Sequence, residues 1–143
     1  GPLPDPACTP GAVFVAAGTS TTCVAGYTTR VRSVSTKTKQ AGYAAYGIAY
    51  PHKTGTYAFD HLIPLELGGS NDVANLFPEA AQPVPGFKEK DVVEDYLHDE
   101  VCAGHLSLPQ AQAQIAQDWM VVYNALDAAT ISKIKQKYHS WSN

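Results

Sequence analysis

The sequence predicts an α+β fold in a single domain, a short hairpin followed by helices, within 143 residues. Three observations predict it. From Tyr57 to Glu79 the chain reads YAFDHLIPLELGGSNDVANLFPE, two short apolar runs around a long loop carrying Pro64, Gly68-Gly69 and Asn71-Asp72. From Phe87 to Cys102, the residues Val92, Val93, Tyr96, Leu97 and Val101 recur at helical spacing, with Gly104 as a stop signal. Ser107-Leu108-Pro109-Gln110 is a capping box with proline in the first turn, opening a helix whose stripe is Leu108, Ala111, Ile115, Trp119, Val122 and Leu126.

Residues 1 to 12 hold four prolines and two glycines and read as an extended, irregular arm. Ala12 to Ala17 is a short apolar run with strand character, and Gly18 to Thr22 is turn-like. Cys23 to Tyr27 and Thr28 to Val34 are rich in β-branched and aromatic residues, so the N-terminal segment is expected to be β-rich. On such a strand Arg30 and Arg32 share a face, and the guanidinium fork suits phosphate oxygens. Ser35 caps a helix to Tyr46, weakened by Gly42 and ended by Gly47. Tyr43, Tyr46 and Tyr50 read as packing residues, and residues 51 to 55 as a loop around His52. In the hairpin, His61 leaves the first strand and Asn75 opens the second. Residues 78 to 86 form a proline-rich connector. On the helix that follows, Asp91, Glu94, Asp95 and His98 lie opposite the apolar stripe, with Glu94 and His98 one turn apart. Thr130 to Tyr138 is a last short helix, and its lysines are a basic terminus.

Net charge is −3, not the balance of a general nucleic-acid binder. The charges are nevertheless segregated. No acidic residue lies between Asp5 and Asp60, where Arg30, Arg32, Lys37, Lys39 and Lys53 fall, while the span from Glu89 to Glu100 holds six acidic residues and one lysine. No apolar run approaches the roughly 20 residues of a membrane helix. The chain has no export signal, but its start, Gly-Pro-Leu-Pro, has the look of a trimmed terminus, so that says little about compartment. Cys8, Cys23 and Cys102 have no C-x-x-C spacing, which leaves out paired zinc knuckles and leaves room for one disulfide and one spare thiol. The Thr/Ser-rich, Lys-poor N-terminal region favours a secreted or cell-surface protein, with a cytoplasmic protein carrying three thiols as the alternative.

The chemistry centres on Asp60 and His61. A carboxylate suits a hard divalent cation, and a neutral imidazole accepts a proton near neutral pH. Cation, base and water together can hydrolyse a phosphodiester. At this point the stretch D-H-L-I-P-L-E-L-G-G-S-N-D-V-A-N-L resembles the core of the HNH endonucleases, the ββα-metal nucleases. The flanking CVAGYTTRVR, KDVVEDYLH and VCAG are similar to a small bacterial branch of that family.

The resemblance implies a ββα-metal core over residues 56 to 102, with His61 as general base and Asp60 as a ligand of a single divalent cation. It also implies that Asn75 ties the loop, that a residue on the following helix completes the metal site, and that Cys23 pairs with Cys102, ahead of Cys8 with Cys23. The usual final His or Asn has no unambiguous counterpart here; Glu94 is the first candidate for the helix-borne ligand and His98 the second. Oxygen ligands suit Mg²⁺, Mn²⁺ or Ca²⁺, whereas His98 would draw the site toward Zn²⁺ or Ni²⁺. Arg30, Arg32 and Lys90 are candidates to clamp phosphate. The expected function is endonucleolytic cleavage of nucleic acid, DNA rather than RNA, by a monomer with little sequence preference. The alternative is a catalytically idle ββα domain that binds nucleic acid or a protein.

Overall fold

A computed structural model describes residues 3–138. Among these residues, six α-helices and one antiparallel hairpin follow the order α1 (Thr19–Thr22), α2 (Tyr27–Val31), α3 (Thr36–Ala45), β1 (Tyr57–His61), β2 (Leu76–Ala80), α4 (Phe87–Cys102), α5 (Leu108–Ala125) and α6 (Ala128–Tyr138), with two short 3-10 turns in the loop between the strands. The α+β class is as expected.

The hairpin register pairs Tyr57 with Ala80, Asp60 with Phe77 and His61 with Leu76. Opposed residues share a face and neighbours alternate, so Ala58, Asp60, Phe77 and Glu79 lie on one side, and Phe59, His61, Leu76 and Pro78 on the other. The Asp60 side faces α4, through an ion pair with Lys90. The Phe59 side faces α3, where the Phe59 ring sits so close to Gly42 that a Cβ there would lie 2.2 Å from it. Gly42 therefore weakens α3 in propensity but admits the ring that docks it.

The core lies between the hairpin loop, α4 and α5. Val93, Leu97 and Val101 of α4 meet Ala111, Ile115 and Trp119 of α5, and Ile63 and Leu67 of the loop close the cluster. Ser107 caps α5 as predicted, its hydroxyl accepting from Gln110 N at 3.2 Å while Gln110 Oε1 accepts from Ser107 N. The helix is interrupted at Asp118, whose carboxylate accepts from Met120 N and so starts the second segment. Val122 and Leu126 on that segment are only partly buried.

The N-terminal part departs from expectation. It is helical rather than β-rich: α1 occupies the stretch expected to be a turn, and α2 the β-branched stretch after it. Of the strand expected at 12 to 17, a single bridge remains, Val13 to Gly69. The physical reason lies in tertiary structure. Cys23, the C-cap of α1, is bonded to Cys102 at the end of α4, and Gly26 starts α2 in the left-handed region at φ 85°. These constraints turn the chain twice within a few residues, and weak β propensity yields. The arm before it is irregular, as predicted, but not free. Thr9 is buried, its hydroxyl donating to Leu76 O at 3.1 Å, and Gly11 N donates to Ala74 O at 2.9 Å.

Candidate active site

One buried side chain ties the two arms of the loop between the strands. Asn75 is fully buried; its Oδ1 accepts from Ile63 N at 3.0 Å, and its Nδ2 donates to Ile63 O at 2.9 Å and Ser70 O at 2.8 Å. Gly69 lets the two loop arms touch, for a Cβ there would sit 1.7 Å from Ile63 O. The loop-tying role expected of Asn75 matches this bonding, and it fixes the chain on both sides of His61.

His61 is buried at the end of β1, and its Nε2 lies 3.0 Å from Asn71 Oδ1. The Asn71 amide donates through Nδ2 to Val31 O at 2.6 Å, which leaves Oδ1 as an acceptor. His61 Nε2 must then carry the proton, and Nδ1 keeps the basic lone pair. Burial holds the imidazole below its ordinary value of 6.5; the Asn71 bond and the Asp60 charge pull it up, and the Arg32 and Lys90 charges push it down again. The ring is thus a neutral base near neutral pH. Neither Asn71 nor its bridge to α2 was anticipated. The only sequence signal was the loop's N-D pair, which read simply as a turn.

Asp60 leaves β1 on the opposite face. Its Oδ2 lies 3.0 Å from Lys90 Nζ, and Glu94 Oε2 lies 2.5 Å from the same nitrogen, which also donates to His61 O at 2.8 Å. Asp60 and Glu94, the two expected oxygen ligands, are therefore brought together, but around an ammonium. Lys90 has no exposed surface. This corrects its expected role, since a side chain sealed from solvent cannot clamp a phosphate. Burial alone would lower its proton affinity, but Asp60, Glu94 and Glu79 together raise it, so the ammonium stays charged.

Glu79 was missed. It is fully buried on the Asp60 face, and neither of its carboxyl oxygens has a hydrogen-bond donor. Burial, followed by the charge of Asp60 beside it, pushes it up to about 10. At neutral pH it is a carboxylic acid, able to donate to the Asp60 carboxylate. The placement follows from strand register, two residues on from the partner of Asp60, and register is not visible in a single sequence.

The remaining candidates separate. Lys90 and His98 are two helical turns apart, about 12 Å along α4, so His98 cannot share an ion with Asp60. It is buried instead among Thr22 O (2.8 Å from Nε2), the Tyr138 hydroxyl (3.2 Å from Nδ1) and the disulfide. The acidic side of α4 is divided: Glu94 and His98 are buried, Asp95 is half-buried and Asp91 is exposed. Arg30 and Arg32 are exposed but share no strand face; Arg30 lies over the Tyr27 ring, 5.8 Å from its centroid, and Arg32 is the residue whose charge reaches His61. Cys23 and Cys102 are joined, and Cys8 is free and exposed. Compared with protein-family models, curated proteins and solved structures, the chain matches none of them.

The buried oxygens fit a hard cation better than a soft one. Glu79, fully buried with two orphaned oxygens, and Asp60, with 17% of its side chain exposed, form an oxygen pair beside the ammonium. Glu94 is committed to the ammonium.

Proposed function

We propose that this chain is an endonuclease that hydrolyses phosphodiester bonds of nucleic acid, DNA in preference to RNA, with His61 as general base. The single observation carrying it is the state of His61: a neutral imidazole, its Nε2 proton held by Asn71, its Nδ1 lone pair left to accept a proton. A phosphate lying across the end of β1 would meet the base on one face and the Asp60 carboxylate on the other. His61 Nδ1 takes a proton from water as the oxygen attacks phosphorus in line with the departing 3′ oxygen. Asn71 keeps the ring's orientation and tautomer through the step. Arg32, exposed beside His61, binds a non-bridging phosphate oxygen. Asp60, joined by Glu79 on loss of its proton, would hold a divalent cation, Mg²⁺, Mn²⁺ or Ca²⁺ in preference to Zn²⁺ or Ni²⁺. When bound, it supplies charge neutralisation at the phosphorane and the leaving oxygen. With Lys90 sealed and the named contacts directed at backbone phosphate, sequence preference is weak. The disulfide supports a place outside the cytosol. Among the described residues, no helix is long and apolar enough to cross a membrane.

One observation favours a second reading. The Lys90 ammonium already sits between Asp60 and Glu94, so the fold has a resident cation and can stand as a binding domain without chemistry. Incubation of supercoiled plasmid and of a structured RNA with Mg²⁺, Mn²⁺, Ca²⁺ or chelator separates the two. Nuclease activity predicts cation-dependent nicking of the plasmid. Retention of both substrates intact, with or without a mobility shift, leaves only the binding domain.

A further inference from the structure

We propose that Cys23, Cys102 and His98 form a soft-metal site, distinct from the Asp60–His61 region, that takes Zn²⁺ when the disulfide is reduced. One sulfur of each cysteine and one ring nitrogen of His98 lie within 4.8 Å of one another. Tetrahedral zinc with bonds of about 2.3 Å to sulfur and about 2.0 Å to nitrogen spaces S and N by roughly 3.5 Å, and two sulfurs by roughly 3.8 Å. Cys102 Sγ is already 3.5 Å from His98 Nε2. The two sulfurs must part and Thr22 O must release Nε2, and the exposed residues 24 to 26 after Cys23 leave space for that movement. Cys102 is itself exposed, so a thiol reductant can reach the bond.

The surroundings of the imidazole are those of a ligand histidine. Its Nε2 faces Thr22 O at 2.8 Å, and its Nδ1 faces the Tyr138 hydroxyl at 3.2 Å and Glu66 Oε2 at 4.0 Å. Glu66 is fully buried, and neither of its oxygens accepts a hydrogen bond from a donor, although Asp95 lies beside it. With metal on Nε2, the ring proton moves to Nδ1, where the Tyr138 hydroxyl and the Glu66 carboxyl oxygen behind it can accept it. The chemistry balances: two equivalents of a monothiol reduce the Cys23–Cys102 bond to two thiols and leave as their own disulfide. Binding of one Zn²⁺ then releases two protons as both thiols become thiolates.

The test uses the full chain carrying Cys8→Ser, which removes the unrelated exposed thiol. The protein is reduced, freed of reductant without air, and titrated with Co²⁺ as a coloured stand-in for zinc, then with Zn²⁺. The proposal expects a thiolate-to-cobalt charge-transfer band saturating at one ion per chain, bleached by Zn²⁺, and no band in the oxidised protein. Adding His98→Ala should weaken binding at least about tenfold. Should reduction unfold the chain, zinc must restore its far-UV circular dichroism. A reduced, folded chain without the band, a reduced chain that zinc does not refold, or His98→Ala binding as tightly as its parent would each overturn the site.

Discussion

At His61 the decisive property is where the basic lone pair points, and that is set by the Asn71 amide, itself bonded to α2. Because burial lowers the imidazole below 6.5, the acid limb of the kcat/KM profile for plasmid cleavage should have its midpoint below 6.5. Asn71→Asp places a carboxylate on Nε2 and should move that limb to higher pH. A limb that stays put would mean the Asn71 contact does not control the base. Glu79 gives a second, independent reading of the site. Folded, it keeps its proton to about 10; unfolded, it loses it near 4.5. Between those values the folded state binds more protons, so this group makes stability fall as pH rises. Glu79→Gln should flatten that decline between about pH 5 and 9, seen as a smaller drop in urea midpoint across that range.

The loop and its two strands behave as one element because the Asn75 side chain meets four backbone groups at once. Asn75→Ala strands Ile63 N, Ile63 O and Ser70 O and loses the longer contact from Ala12 N, and should cost roughly 3 kcal/mol of unfolding free energy by chemical denaturation. A loss under about 1 kcal/mol would show that the loop re-pairs without it. This element was also the most legible. Pro64, the paired glycines and the spacing of Asp60, His61 and Asn75 carried its strand–loop–strand form in the sequence itself. The first two helices were not legible. Thr28, Thr29, Val31 and Val34 say strand, but a strand needs a partner edge, and the disulfide at Cys23 and the turn at Gly26 decide the local path instead. On α4, the apolar stripe was readable, but the identity of the partners for the polar face was not. A Lys at position 90 reads as a surface charge until β1 is laid against it.

The molecule as a whole is closed by one covalent link, Cys23 to Cys102, spanning 79 residues. In the chain-entropy model such a loop contributes about 4.5 kcal/mol. Cys23→Ser with Cys102→Ser should therefore lower the urea midpoint sharply, and an unchanged midpoint would mean the N-terminal helices are held by packing alone. The same link ties α1 and α2, with Arg32, to the end of the long helix, so the phosphate-facing side of the proposed site depends on it.

The claim on which the functional account rests is that the imidazole of residue 61 activates water at a phosphate. Its most direct measurement is the initial rate of plasmid nicking in Mg²⁺ by the native chain and by His61→Ala, with circular dichroism confirming that both are folded. The account predicts cation-dependent nicking by the native chain and a loss of at least about a hundredfold in the variant, the usual range for a general base. Equal rates for the two proteins, or nicking that persists unchanged in chelator, would contradict it.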